Sequence, residues 1–259
     1  ELRALQAEAE RRIGQWATAG ECLASSSIYD AAAWIHTGVR DDERLDAQIS
    51  IVVAIYPEPP FSECLAIDTD RFFDDKDKWL APDTEGVMLL ASPVLPKSEG
   101  QVKLESADPM SAPRIELNYF DEPDDVRTMV VALKRALDIA DNWPAPTKLG
   151  PVMIPPSLAD KHGHQPGDRP DDALLEDLAL HYAVTVYHET STCRLGDVVD
   201  ARWKVMGAEN LRVADASIMP TVVGGNTNVA AIMIGEKASE MIAQEHGISL
   251  GAFVGERSA

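Results

Sequence analysis

Cysteine is scarce in this chain of 259 residues: Cys22, Cys64 and Cys193 stand far apart and form no CxxC pair. An odd, scattered set excludes a disulfide framework and a finger- or ribbon-type zinc site. It fits a reducing compartment, so a cytoplasmic location is expected. Basic residues are also few, 23 Lys and Arg against 43 Asp and Glu, for a formal charge of −20. Binding to nucleic acid or to an anionic membrane requires a basic face, so neither is expected as a partner. The acidic clusters Asp41-Asp42-Glu43, Asp74-Asp75, Asp121 to Asp125 and Asp171-Asp172 read as solvated surface. No apolar run reaches the ~18 residues of a membrane span, and no basic-then-apolar leader opens the sequence. A GxGxxG turn after a strand is missing too, so the chain by itself lacks the usual means of holding a dinucleotide pyrophosphate.

What is present suffices for one large core or two modest ones, since 45% of the residues are hydrophobic. Leu2, Leu5, Ala9, Ile13 and Trp16 recur at helical spacing and predict an amphipathic helix over residues 2–16. Gln48 to Tyr56 and Val87 to Leu95 read as strands. Val102 and Leu104, then Ile115 and Leu117, alternate with polar neighbours as half-buried antiparallel strands do. Asp121 and Pro123 open a helix whose apolar stripe is Val126, Met129, Val130, Leu133, Leu137 and Ala140. From about Asn142 to Pro170, Pro and Gly are dense and a long surface loop is expected. Asp171 should cap a helix reaching about His181. Leu211 to Ala214 reads as a short strand, and Asn228 to about Ala243 as a last helix burying Val229, Ile232, Met233, Met241 and Ile242. Helix after sheet without βαβ alternation predicts an α+β architecture.

The densest pattern lies in the last quarter: Tyr187-His188-Glu189-Thr190-Ser191-Thr192-Cys193-Arg194-Leu195-Gly196, Val199-Asp200, Asn210 to Thr221, and Asn226-Thr227-Asn228 opening an apolar run. This order and spacing resembles the C-terminal signature of the glucose-methanol-choline (GMC) family of flavin-dependent oxidoreductases. A weaker echo occurs at Pro96-Lys97-Ser98, Ser106 to Pro109 and Pro113-Arg114-Ile115, so the likeness runs from about Ile49 onward. It implies a substrate-binding domain with an antiparallel sheet, followed by the last strand and helix of a Rossmann-like FAD domain that a missing N-terminal half completes. The divisions it suggests are a leading helix over 1–20, a substrate-binding domain over 21–185, the FAD-domain portion over 186–246 and a tail over 247–259.

By the same resemblance, the reaction is oxidation of an alcohol CH–OH to a carbonyl with base-assisted hydride transfer to flavin N5. The partners are an N-terminal FAD-binding half as a separate chain and a small alcohol. His188 is implied as the base; taken alone, a His between Tyr187 and Glu189 is more often a structural hydrogen-bonder, although an imidazole titrates in the right range for this proton. Asn226 is implied as the group that orients the substrate oxygen, and it reads equally as an N-cap before a helix. Asp215, Ala216, Thr227 and Asn228 are implied as FAD contacts, with Gly224-Gly225 allowing close approach and the helix N-terminus facing the flavin's anionic edge. Asp215 also reads as a turn former at a strand end. Tyr187 is a candidate pocket residue, along with Trp34, Tyr56 and Phe61. Arg194 has two readings, electrostatic support or a salt bridge to a nearby acid. Ser191 stands where the family usually has Gly, so φ is expected to stay negative there along a slightly different path. His162-Gly163-His164 lacks a third ligand at metal spacing and reads as solvated loop, so no metal is expected. A lyase on the same scaffold and a non-catalytic remnant or regulatory subunit are the alternatives.

Overall fold

A computed structural model of the chain describes residues 29–52, 86–144 and 149–249, together with Arg11 and Thr18. The helix expected over residues 2–16 lies outside these apart from Arg11, as do Tyr56, Phe61, Cys22 and Cys64. The described residues form a mixed helical and antiparallel-sheet fold, as the sequence pattern implies, in two compact units that each gather separated segments of chain.

The first unit takes residues up to Gly38, Ala47–Pro93 and Arg127–Val184. Its three-stranded sheet has the order β1 (Tyr29–Ile35), β2 (Ala47–Val52), β3 (Met88–Pro93), antiparallel throughout, with Ile49 opposite both Ala33 and Ala91. Ala47, Ile49, Ser50 and Val52 are buried, as befits the central strand. β1 escaped the sequence reading because Tyr-Asp-Ala-Ala-Ala-Trp-Ile has no period-2 alternation. It is an exposed edge strand defined by its hydrogen bonds to β2.

Helix α1 (Pro123–Asp141) begins with Pro and carries Asp124 and Asp125 in its first turn, where the helix dipole favours them. Its buried stripe is Asp125, Thr128, Met129, Ala132, Ala136 and Leu137, turned slightly from the expected one towards smaller residues. The expected long loop contains a helix, α2 (Pro156–His162), which corrects that reading. The same Pro and Gly that suggested a loop are its punctuation: Pro156 has no N–H to leave unsatisfied in the first turn, and Gly163 ends the helix at φ 63°. Leu158 packs with Ile154 and with Leu174 of α3 (Asp172–Tyr182), which gives so short a helix its stability. Asp171 caps α3 by accepting from Leu174 N at 2.9 Å. His162 closes α2 with Nε2 2.6 Å from Asp177 and is therefore a hydrogen-bonded helix residue, not part of a solvated loop.

The second unit takes Val39–Asp46, Val94–Val126 and the residues from Thr185. Asp125, buried at 4% exposure, accepts from Lys97 N at 2.8 Å and Ser98 N at 2.8 Å, so the Pro96-Lys97-Ser98 stretch is fastened to the start of α1. A short hairpin pairs β4 (Gln101–Lys103) with β5 (Arg114–Glu116). Gly100 enters it with no room for a side chain: a Cβ there would collide with the Glu116 carbonyl oxygen and lie 2.8 Å from that of Leu117. Residues 211–214 form no strand. Lys204 and Arg212 make a single antiparallel bridge, flanked by Val213 N to Trp203 O at 3.1 Å and Val205 N to Leu211 O at 3.0 Å, because the segment turns back too soon to extend a ladder.

A 3-10 turn (Ala216–Ile218) and helix α4 (Asn228–His246) complete this unit. Its core joins Val199, Trp203, Ile218, Met219, Ile234, Ala238 and Met241. Of the five α4 positions expected to be buried only Met241 is, whereas Val229 is 75% exposed and Ile232 and Met233 are more than half exposed. The first turns of α4 are apolar all round, so periodicity had no basis for choosing a face. Ser191 also departs from expectation: its φ is 73°, the left-handed conformation that glycine occupies freely.

Two stability outcomes follow. Gly100→Ala should lower stability by about 1–3 kcal/mol through overpacking against the β5 backbone. Ser191→Gly should raise it, by about 0.5–1 kcal/mol, because relief of left-handed strain outweighs the added freedom of the unfolded chain. Denaturant titrations of the two variants beside the parent check both signs.

Candidate functional site

The candidate residues gather in the second unit, where two stretches of the chain meet. The first is the turn 185–189. Thr185 Oγ1 accepts from Tyr187 N at 2.9 Å, and Tyr187 adopts φ 61°, which is unusual for a bulky residue. Glu189 Oε1 accepts from Tyr119 Oη at 2.9 Å and from Thr185 Oγ1 at 2.5 Å. Partial burial pushes the Glu189 carboxyl up, but these hydrogen bonds, with the neighbouring His188, outweigh it and leave the group below its ordinary range. Burial, together with the bond to the Glu189 carboxylate, holds the Tyr119 hydroxyl above its own. The turn is thus pinned on both sides of His188.

The second stretch is 224–228, leading into α4. His188 is half-buried, with Nδ1 3.0 Å from the Tyr187 carbonyl oxygen and 3.1 Å from Thr227 Oγ1. Thr227 is 7% exposed. This contact spans 39 residues and joins the His188 turn to the segment carrying Asn226 and Asn228. The structure therefore brings together five of the sequence-derived positions, Tyr187, His188, Asn226, Thr227 and Asn228. Asn226 is exposed and does not cap the helix; among the described residues its amide has no hydrogen-bond partner.

Asp215 and Ala216 lie on the 3-10 turn. Asp215 Oδ1 accepts from Ser217 N at 2.8 Å, a capping role that matches its reading as a turn former. That turn supports the stretch after His188 through its backbone: Cys193 N donates to Ser217 O at 2.9 Å and Leu195 N to Ile218 O at 3.0 Å. Arg194 resolves towards the plainer of its two readings, with a guanidinium nitrogen 3.0 Å from Glu99 Oε1. Tyr187 is 54% exposed beside His188, while Trp34 lies on β1 of the other unit. Among the described residues no cluster of three His, Cys, Asp or Glu side chains is arranged to hold a metal.

The start of α4 is suited to an anionic group. Its first backbone N–H groups receive no side-chain cap, and its first turn holds no acidic residue. Unpaired donors and the positive end of the helix dipole therefore face outward uncancelled. A Cβ on Gly224 would meet only ordinary contacts, Leu95 at 3.8 Å and the Leu45 carbonyl at 4.0 Å. Packing among the described residues thus does not demand glycine there. Sequence reasoning did not find Tyr119 and Thr185: Tyr119 is 70 residues from Glu189, and no spacing rule connects them.

Comparison with known proteins places the stretch that carries these residues in a family. The family model described as GMC oxidoreductase matches residues 96–235, more than half of the chain. An alcohol dehydrogenase [acceptor] of Pseudomonas putida is 39% identical over 175 residues, covering 66% of this chain and 30% of that enzyme. An oxygen-dependent choline dehydrogenase of Acinetobacter baumannii is 36% identical over 152 residues, 56% of this chain and 25% of that one. The chain thus spans less than a third of the length of these curated relatives. Among solved structures, Aspergillus oryzae formate oxidase superposes with a TM-score of 0.69 at 20% identity, over 92% of this chain and 42% of that one. Pyridoxine 4-oxidase gives 0.57 at 21% identity, over 84% of this chain and 38% of that one. Among the described residues no helix is long and apolar enough to cross a membrane. From the matched stretch that contains the His188 turn and the start of α4, this chain belongs to the GMC oxidoreductase family.

Proposed function

We propose that this chain is the C-terminal portion of an FAD-dependent oxidoreductase that converts an alcohol to a carbonyl. The observation that carries the reading is the hydrogen bond between His188 Nδ1 and Thr227 Oγ1, which ties an imidazole to the segment that holds Asn226, whose amide has no partner among the described residues, at the uncapped start of α4. FAD is the family's cofactor, and when bound it supplies the hydride acceptor. Its anionic edge suits the backbone N–H groups around Asn228, with the Gly224-Gly225 backbone leaving space for the ring. Asp215 and Ala216, on the capped 3-10 turn, would contribute further contacts to it.

The protein's own part in the reaction is acid–base and positional. The His188 imidazole takes the hydroxyl proton as the C–H bond breaks, which lowers the barrier because loss of hydride then yields a neutral carbonyl and not its protonated, cationic form. Asn226 donates its amide N–H to the same oxygen and stabilises the negative charge that develops there. Tyr187, exposed beside the imidazole, lines the space the alcohol enters.

The fold also favours a larger assembly. Val229, Ile232 and Met233 form an apolar stripe on α4 opposite the one that packs with Ile218 and Trp203. A helix apolar on two sides belongs between two layers, and the matched relatives are more than three times as long as the matched stretch. The missing layer is read as the N-terminal FAD-binding half, whether joined to this chain or separate from it.

His188→Ala in the complete flavoprotein should lower kcat by about 10²–10⁴. Anaerobic addition of primary alcohols should bleach the oxidised-flavin spectrum of the parent protein; flavin that never bleaches would favour the lyase alternative. Val229→Asp with Ile232→Asp should spare the buried stripe of α4 yet strip the purified protein of flavin, read as the ratio of visible to ultraviolet absorbance. Full flavin retention would refute the two-layer reading of α4.

A further inference from the structure

We propose that Thr227 is a positioning residue that anchors the ring of His188 in its Nδ1–H form, leaving Nε2 as the nitrogen with the free lone pair; the inference rests on the catalytic role proposed for His188. Three observations carry it. First, His188 Nδ1 lies 3.0 Å from the Tyr187 carbonyl oxygen, and a carbonyl only accepts, so the proton must sit on Nδ1. Thr227 Oγ1, at 3.1 Å from the same nitrogen, then serves as the second acceptor of a shared bond.

Second, Thr227 occupies the position before α4 where a Thr side chain ordinarily accepts from an N–H of the first turn, and here it makes no such bond. Its backbone is already helical, at φ −80° and ψ −12°, and the hydroxyl turns to His188 instead. A capping interaction has been given up for one with the imidazole. Third, the carbonyl is local to His188 and moves with it, whereas Thr227 is buried and fixed to α4. Thr227 is therefore the restraint that relates the ring to Asn226. Among the described residues Nε2 has no partner, and it is the nitrogen free to receive the hydroxyl proton: the O–H bond breaks, its electron pair stays on oxygen, and N–H forms at Nε2.

The test uses the complete flavoprotein with ring-nitrogen-labelled histidine, read by nitrogen NMR, with the His188 signals identified by their loss in His188→Ala. The parent protein and Thr227→Ser should show the Nδ1–H form. Thr227→Val should keep the Nδ1–H form, which the Tyr187 carbonyl still requires, but shift its Nδ1 signal as the shared bond is lost, with kcat about tenfold lower and KM little changed, and Thr227→Ser should restore both. An Nε2–H signal in the parent overturns the proposal, as does Thr227→Val with an unchanged Nδ1 signal and rate. Should Val at this position prevent folding, Thr227→Ala is read in the same way. Failure of the base role shows separately, as undiminished turnover in His188→Ala, and the ring spectra then still confirm or overturn the Thr227 bond.

Discussion

The candidate site depends on how α4 begins. Helices normally settle their first N–H groups with a side chain from the chain just before them. Here the residue placed to do so, Thr227, is buried and bonded to His188, while Asn226 before it makes no bond among the described residues. The helix consequently keeps its donors unspent, and the imidazole gains an anchor from an element remote in sequence. If Thr227 capped α4, the two stretches would lose their link. The pinned turn at Thr185 and Glu189 completes the arrangement from the other side, holding Tyr187 in a left-handed conformation that its own sterics disfavour.

Much of this was legible in the residues, for reasons that differ by element. β2, β3, the small hairpin, α1 and α3 announce themselves by period and capping, since Asp171 and Pro123 act locally and need no tertiary information. β1 and α2 do not: one is an alanine-rich edge strand, the other a helix of seven residues whose Pro and Gly mimic a loop. Both exist because of partners elsewhere in the chain, β2 in one case and Leu174 in the other. The site follows the same rule. His188 and the 226–228 segment could be read from order and spacing, whereas the bonds that orient them, from Thr227, Tyr119 and Thr185, connect side chains whose separation carries no pattern.

The error over α4 is informative in its own way. The helix was expected to bury Val229, Ile232, Met233, Met241 and Ile242; of these it buries Met241, and with it Ile234, Ala238 and Ala243. Sequence periodicity reports how apolar a helix is on each side but not which side a given piece of chain is able to cover. With Val229, Ile232 and Met233 outward, the helix presents an apolar stripe on the side away from its own core, the stripe on which the proposed second layer rests.

The two units are also interleaved along the chain, which passes from one to the other after Gly38, Asp46, Pro93, Val126 and Val184. Neither can therefore be produced by cutting at a single point, and neither corresponds to a cassette that recombination could exchange whole. During vectorial synthesis the segment Val94–Val126, including the hairpin and the buried Asp125, emerges well before the residues from Thr185 that complete its unit. A chain so ordered must hold open long loops before its distant contacts form, which favours slow, concerted folding over the stepwise closure of successive domains.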